Sequence, residues 1–192
     1  RQPYNPSIIE PKWQKKWKDS KIYNVDLDSK NKENYFSLTM FPYPSGDLHI
    51  GHWYAFTPAD SYSRFKKMKG FNVLHTQGFD AFGLPAENAA ISRNINPMKW
   101  TFDNIDNMRG QFNLMGNSYD WSRELITCTP EYYKWNQFFF LKMYEKGIAY
   151  RKNGAVWWDP VDQTTLANEQ VVEGKSERSG ADVVRKMMPQ WY

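Results

Sequence analysis

Two histidines three residues apart, His49 and His52, stand in Asp47-Leu48-His49-Ile50-Gly51-His52, directly behind Pro42-Tyr43-Pro44-Ser45-Gly46. On the first turn of a helix that spacing turns both imidazoles to one side. Free backbone N–H groups and the positive end of the helix dipole favour a phosphate there. Gly51 lets a flat ring approach the backbone, and Ser45 and Gly46 add a flexible rim. Such a site suits attack on the α-phosphate of a nucleotide. The task is to stabilise the charge of a pentacovalent transition state, without a covalent protein intermediate. The plainer alternative is a metal-binding pair or two surface histidines. It is weakened by the absence of a nearby cysteine or third histidine to complete a zinc site.

A second constellation is Gly78-Phe79-Asp80-Ala81-Phe82-Gly83-Leu84-Pro85-Ala86-Glu87-Asn88. Asp80, set among aromatics, is a candidate partner for a ligand ammonium, and Met40, Phe41 and Tyr43 are candidate walls of an apolar pocket beside it. The competing reading makes Asp80 a turn residue or helix cap and Phe41 ordinary core.

Both segments need elements to position them. Tyr35 to Phe41 alternates in the manner of a strand, and the two prolines end it. A helix is predicted from about Leu48 to Met68, disturbed at Pro58, followed by a strand over Phe71–Thr76. A loop over Gln77–Leu84 then leads into a helix opening at Pro85. Strand, loop and helix repeating with long crossovers predict an α/β fold with a doubly wound parallel sheet, whose ligands bind at the carboxyl ends of the strands.

Upstream, Ser7-Ile8-Ile9-Glu10 has the form of a capping box. It opens a helix with Ile9, Trp13 and Trp17 on one stripe and Lys12, Lys15 and Lys16 on a solvated face. Ile105, Met108, Phe112 and Met115 mark another helix, stopped near Gly116, and Thr129-Pro130-Glu131 opens one that Gly147 closes. Cys128 reads as a strand residue. From Ala149 onward short strands and turns predict a small appended module, so the domains are placed at 1–148 and 149–192.

Composition narrows the class. Of the 192 residues, 41 % are hydrophobic and 24 % charged, which excludes wholesale disorder. A formal charge of +4 is compatible with phosphate ligands or RNA without establishing either. A single cysteine excludes an internal disulfide and fits a reducing compartment. No apolar run reaches the length of a membrane span, and Arg1-Gln2-Pro3-Tyr4 is no signal peptide. The chain begins without Met and stops on Gln190-Trp191-Tyr192, which reads as a piece of something longer.

Met40-Phe41-Pro42-Tyr43-Pro44-Ser45-Gly46-Asp47-Leu48-His49-Ile50-Gly51-His52 resembles the signature of class I aminoacyl-tRNA synthetases in its leucyl form, and Gly78 to Ala90 resembles the second leucyl signature. The likeness continues through Ser118-Tyr119-Asp120-Trp121-Ser122-Arg123-Glu124, Pro130-Glu131-Tyr132-Tyr133 and Leu166-Ala167-Asn168-Glu169-Gln170. It implies the first half of a Rossmann-like catalytic domain in a cytoplasmic, non-membrane ligase. The implied reaction takes leucine and ATP, with Mg2+, to leucyl-adenylate and charges tRNA(Leu).

By motif position, Pro42, Tyr43, Pro44, Ser45, Gly46, His49, Gly51 and His52 would bind ATP, with His49 and His52 catalytic. Met40, Phe41, Tyr43 and Asp80 would bind leucine. Trp53-Tyr54-Ala55-Phe56 departs from the commoner pattern by its bulk. The family's Lys-Met-Ser-Lys-Ser loop is absent, Lys66-Lys67-Met68-Lys69 being misplaced and without serine, so the remainder of the synthetase chain is an implied partner. Taken alone, this stretch is expected to be a poor catalyst.

The same resemblance implies a zinc ribbon at the C-terminal end, but its four ligand positions carry Asp159, Asp162, Ser176 and Ser179. Serine hydroxyls are poor zinc ligands, so no zinc is expected. Two alternatives stay open: a free-standing nucleotidyltransferase sharing the histidine motif, and a non-catalytic module holding RNA with Lys15, Lys16, Lys66, Lys67 and Lys69.

Overall fold

Helix α1 (Pro6–Ser20) begins with a proline at its first position, whose fixed φ and missing N–H suit the first turn. The structure, a computed structural model, describes residues 3–192; Arg1 and Gln2 lie outside it. The cap residue is Asn5, without a side-chain cap bond, so the box predicted at Ser7 lies inside the helix. Glu10, its expected reciprocal acceptor, instead takes the Tyr4 hydroxyl at 2.9 Å.

Strand β1 (Asn34–Ser37), helix α2 (Ile50–Met68) and strand β2 (Asn72–His75) form a βαβ unit, the strands parallel with Tyr35 opposite Val73 and Ser37 opposite His75. Helix α2 runs through Pro58 as one 19-residue element. The strands are shorter than predicted. The chain leaves β1 before Leu38, well ahead of Pro42 and Pro44, which lack the N–H a ladder needs.

Strand β3 (Gly78–Phe79) follows, then α3 (Leu84–Ser92), α4 (Pro97–Met115) and strand β4 (Leu125–Ile126), parallel to β3. Gly78 is required there: a Cβ would stand 2.5 Å from the Leu125 carbonyl oxygen. Asn96 caps α4 by accepting from Met98 and Lys99 N–H, and Gly116 ends it at φ 71°. The parallel pairing agrees with the α/β expectation. It is carried, among the described residues, by two separate two-stranded sheets rather than one continuous one. Phe56, Phe79, Ile105, Met108, Phe112 and Tyr119 form the core beneath these elements.

Cys128 is a correction. Strand β4 ends at Ile126, and Thr129 N–H turns back to the Ile126 carbonyl at 3.1 Å, so Cys128 sits in the turn before helix α5 (Pro130–Glu145).

The chain divides into two compact units, one through Tyr133 and one over Lys134–Tyr192. The sequence boundary at 148/149 therefore differs from the observed division. The rings of Phe140 and Tyr144 on α5 meet Trp191 edge-on at 5.0 and 5.8 Å, which draws most of α5 into the second unit. That unit contains strands β5 (Arg151–Asp159), β6 (Thr164–Leu166), β7 (Val171–Val172), β8 (Lys175–Ser176) and β9 (Val184–Trp191). The β6-β5-β9 sheet is antiparallel, and β7 and β8 form a separate short antiparallel pair.

Candidate active site

Helix N-caps are usually Ser, Thr, Asp or Asn, yet α2 is capped by His49. Its Nδ1 accepts from Gly51 N–H at 3.1 Å, and His52 Nδ1 accepts from His49 N–H at the same distance. Two of the orphan donors of the first turn are thus satisfied reciprocally by imidazoles. A ring that accepts at Nδ1 must carry its proton on Nε2, so each histidine keeps a free Nε2–H donor. The rings lie 4.0 Å apart between centroids, and His52 stacks at 5.8 Å on the buried Phe56. Burial, together with His49, pushes the His52 pKa below the ordinary histidine value, which keeps the ring neutral at pH 7 and the cap intact. The His49 ring covers Gly51 so closely that a Cβ there would be 2.8 Å from His49 Cε1.

Sequence reasoning missed what holds this turn. Asp47 Oδ1 accepts from Asn107 Nδ2 at 2.6 Å and Gln111 Nε2 at 2.9 Å, while Gln111 Oε1 accepts from Leu48 N–H at 2.8 Å. The signal was available: Asn107 and Gln111 are amides one helical turn apart on a helix otherwise chosen for its apolar face.

The two loops meet through the main chain, Asp80 N–H donating to the Pro42 carbonyl at 3.0 Å. Asp80 is half-buried, with the Thr127 hydroxyl 3.5 Å from its Oδ1; that same hydroxyl oxygen accepts from Ala81 N–H at 2.8 Å. Thr127 was also missed. Pro42 and Pro44 are buried, and Ser45 N–H closes a tight turn onto the Tyr43 carbonyl at 2.9 Å. Phe41 is half-buried, whereas Met40 and Tyr43 are 78 % and 58 % exposed. The structure thus joins the histidine turn and the Asp80 loop. It leaves two of the three expected pocket walls open to solvent.

Beneath α2 lies a polar network. Asp60 accepts from Ser118 N–H and its hydroxyl, at 2.5 and 2.6 Å, and pairs with Arg64 Nε at 2.8 Å. His75, buried on β2, places Nδ1 3.3 Å from the Ser118 hydroxyl. Desolvation lowers its pKa to about 4 against the opposing pull of Asp60, so it is neutral at pH 7. Asp120, fully buried, accepts from Val25 N–H, Ser122 N–H and Arg123, tying the segment after α4 to the chain after α1.

In the second unit Asp159 is buried. Its Oδ1 accepts from Val161 and Asp162 N–H at 2.9 and 3.0 Å, and its Oδ2 from the Ser179 hydroxyl at 2.6 Å. Ser176 Oγ accepts from Arg178 and Ser179 N–H, and Asp162 pairs with Arg178 at 3.1 Å. Burial alone would raise the Asp159 pKa, but these bonds and one from Ser176 hold it well below the usual carboxylate range. The four positions are therefore gathered into one hydrogen-bonded cluster. No group of three or more His, Cys, Asp or Glu with metal-holding geometry occurs among the described residues. No helix among them is long and apolar enough to cross a membrane.

Comparison with known proteins places this geometry. A family model described as tRNA synthetases class I (M) matches residues 35–186. Leucine--tRNA ligases of Deinococcus radiodurans and Thermosipho melanesiensis are 56 % and 58 % identical over 98 % of the chain, which spans 23 % of each. The leucine--tRNA ligase subunit alpha of Aquifex aeolicus is 54 % identical over 98 % of the chain, which covers 30 % of it. Among solved structures, the ternary complex of Agrobacterium radiobacter K84 agnB2 LeuRS, tRNA and LeuAMS superposes with a TM-score of 0.89 at 44 % identity. The match covers 99 % of this chain and 24 % of that one. A Mycobacterium tuberculosis methionyl-tRNA synthetase, at TM-score 0.66 and 21 % identity, shares the fold.

Proposed function

The chain belongs to the class I tRNA synthetases, and on that premise we propose that it supplies the leucine- and ATP-binding first half of a leucine–tRNA ligase active site. A leucine carboxylate oxygen attacks the α-phosphorus of ATP, the bond to the bridging oxygen of the β-phosphate breaks, and leucyl-adenylate and pyrophosphate form. The leucyl group then passes to the terminal adenosine of tRNA(Leu).

The observation that carries this reading is the double histidine cap. With both Nδ1 atoms committed to backbone N–H groups, both Nε2–H donors remain free at a helix N-terminus, with no partner among the described residues. They are preorganised for oxygens whose charge grows in the transition state, and no reorganisation is needed at the moment of reaction. Gly51 would lie under the adenine, while Pro42, Tyr43, Pro44, Ser45 and Gly46 would rim the nucleotide, which arrives with its Mg2+. Asp80, with the backbone of Met40 and Phe41, would hold the leucine ammonium. The tether between Asp80 and Pro42 supports one continuous site.

The pocket itself separates aliphatic side chains that differ by a methylene by only about 1–3 kcal/mol. Met40 and Tyr43, open here, would be covered by the remainder of the synthetase chain, which also supplies the missing lysine-rich loop. The strands of the second unit, over residues 149–192, are read as a ribbon-like module held by the Asp159 cluster in place of zinc, and the first unit as the catalytic half. The single cysteine favours a reducing, cytoplasmic setting.

Calorimetric binding of a non-hydrolysable leucyl-adenylate analogue to the full-length protein tests the reading, with isoleucyl and valyl analogues as controls. Selective leucyl binding, lost in His49→Ala and Asp80→Ala, is the expected result. Equal binding of all three, or binding indifferent to both substitutions, would overturn it.

A further inference from the structure

Helix α4 presents a second face to a groove. Asn107 and Gln111 hold the histidine turn, whereas Arg109 and Asn113, each two residues further on and so about 200° around the helix, point elsewhere. With α1 they line a groove of about 480 Å³ on the opposite side of α4 from the site described above.

The groove is lined by four cations, Lys15, Lys18, Lys21 and Arg109, and by no carboxylate. Arg109 is neutralised by Glu124 and Asp106, and Lys15 pairs with Asp19 at 2.5 Å. Lys18 and Lys21 have no carboxylate partner among the described residues. Trp17 and Trp121, both half-buried, provide apolar walls. Asn117 also lines the groove, and its Oδ1 is a buried acceptor with no partner among the described residues. Unpaired cations, an aromatic wall and a spare amide acceptor are the groups that bind, respectively, a phosphate, the face of an unstacked base and a base-edge amino group. An apolar peptide would leave the lysines unused, and an acidic peptide would leave the tryptophans unused.

We propose that the α1–α4 groove is an RNA-binding subsite. It would receive an unstacked nucleotide from a single-stranded part of the tRNA, with its phosphate on Lys18 and Lys21. This rests on the reading of the protein as a tRNA-charging enzyme and adds a contact remote from the histidine turn. The site does no chemistry; it contributes affinity and orientation.

The test uses the full-length protein, wild type and Lys18→Glu/Lys21→Glu, with a tRNA(Leu) transcript titrated across a salt series. The double variant should bind roughly tenfold more weakly near 0.1 M salt and show a salt slope smaller by about 1–2. Leucine-dependent exchange of pyrophosphate into ATP should be unchanged. Asn117→Asp, nearly isosteric, should also weaken binding by placing a negative charge in the groove. A short unstructured oligoribonucleotide should compete for the site better than duplex RNA or polyglutamate.

Unchanged affinity and slope in both variants, or equal competition by all three polyanions, would overturn the subsite while leaving the enzymatic reading in place. A wild-type protein without leucine-dependent exchange would sink the enzymatic reading, and the subsite with it.

Discussion

His49 and His52 each serve the helix with one nitrogen and keep the other free. The division predicts a specific sensitivity at Gly51. A methyl group there meets the His49 ring at 2.8 Å, so Gly51→Ala must swing the ring off its cap. Pyrophosphate exchange by the full-length protein should fall about a hundredfold, the scale of losing one preorganised donor. Stability should drop by only about 1 kcal/mol, a typical cost of a lost cap. A variant that melts early and keeps its specific activity would contradict this. His75 makes a different prediction. Buried and neutral with a pKa of about 4 against 6.5 when unfolded, it binds a proton more readily in the unfolded chain. Stability should therefore be full above about pH 6.5 and decline as pH falls to 4, by about 3 kcal/mol from this residue alone. Denaturant melts at pH 7 and pH 4.5 should differ less for His75→Leu than for the wild type, whatever the variant costs at pH 7.

At the scale of elements, α4 matters as much as α2, because its amides set the position of the turn that α2 opens. Gln111→Glu retains an acceptor for Leu48 N–H but sets a carboxylate against Asp47. Its kcat should fall by about tenfold, equivalent to roughly 1–1.5 kcal/mol of lost hydrogen bonding. Gln111→Leu should lose both contacts and fall further, with melting read alongside for each. Equal activity in the two variants and the wild type would remove Gln111 from the positioning role.

The elements themselves were largely legible. Apolar spacing at Ile105, Met108 and Phe112 marked the buried face of α4, and Gly116 and Gly147 marked helix ends, because periodicity and left-handed caps are local properties. The start of α1 was misplaced because Pro6 competes with Ser7 for the same signal. Cys128 was misread because a two-residue strand leaves no pattern. Thr127 and the Asn107–Gln111 pair escaped for another reason: their partners lie 46 to 64 residues away, and no local rule connects them.

Across the whole molecule, the two compact units rest on different kinds of cohesion. The first has a conventional core around Phe112, which touches Phe56, Phe79, Tyr119 and Trp121. Phe112→Ala should cost about 3–5 kcal/mol in equilibrium unfolding. The second unit relies on a buried carboxylate. Asp159→Ala strands two backbone N–H groups and the Ser179 hydroxyl, so amide exchange at Val161 and Asp162 should accelerate by one to two orders of magnitude, a loss of about 2 kcal/mol. A chelator should leave exchange at the same amides unaltered in the wild type. Stoichiometric zinc in purified protein would refute that account of the module.

The tether between the Pro42 loop and the Asp80 loop runs from a peptide N–H to a peptide carbonyl, Asp80 to Pro42. A side-chain substitution does not delete it; among the coded residues, only proline at position 80 removes the donor. On the proposed reading of the site, residues 40, 41 and 43 could therefore drift under selection and alter the amino acid accepted, while the spacing of the loops is inherited unchanged. Specificity is thus free to evolve on a frame that mutation seldom reaches.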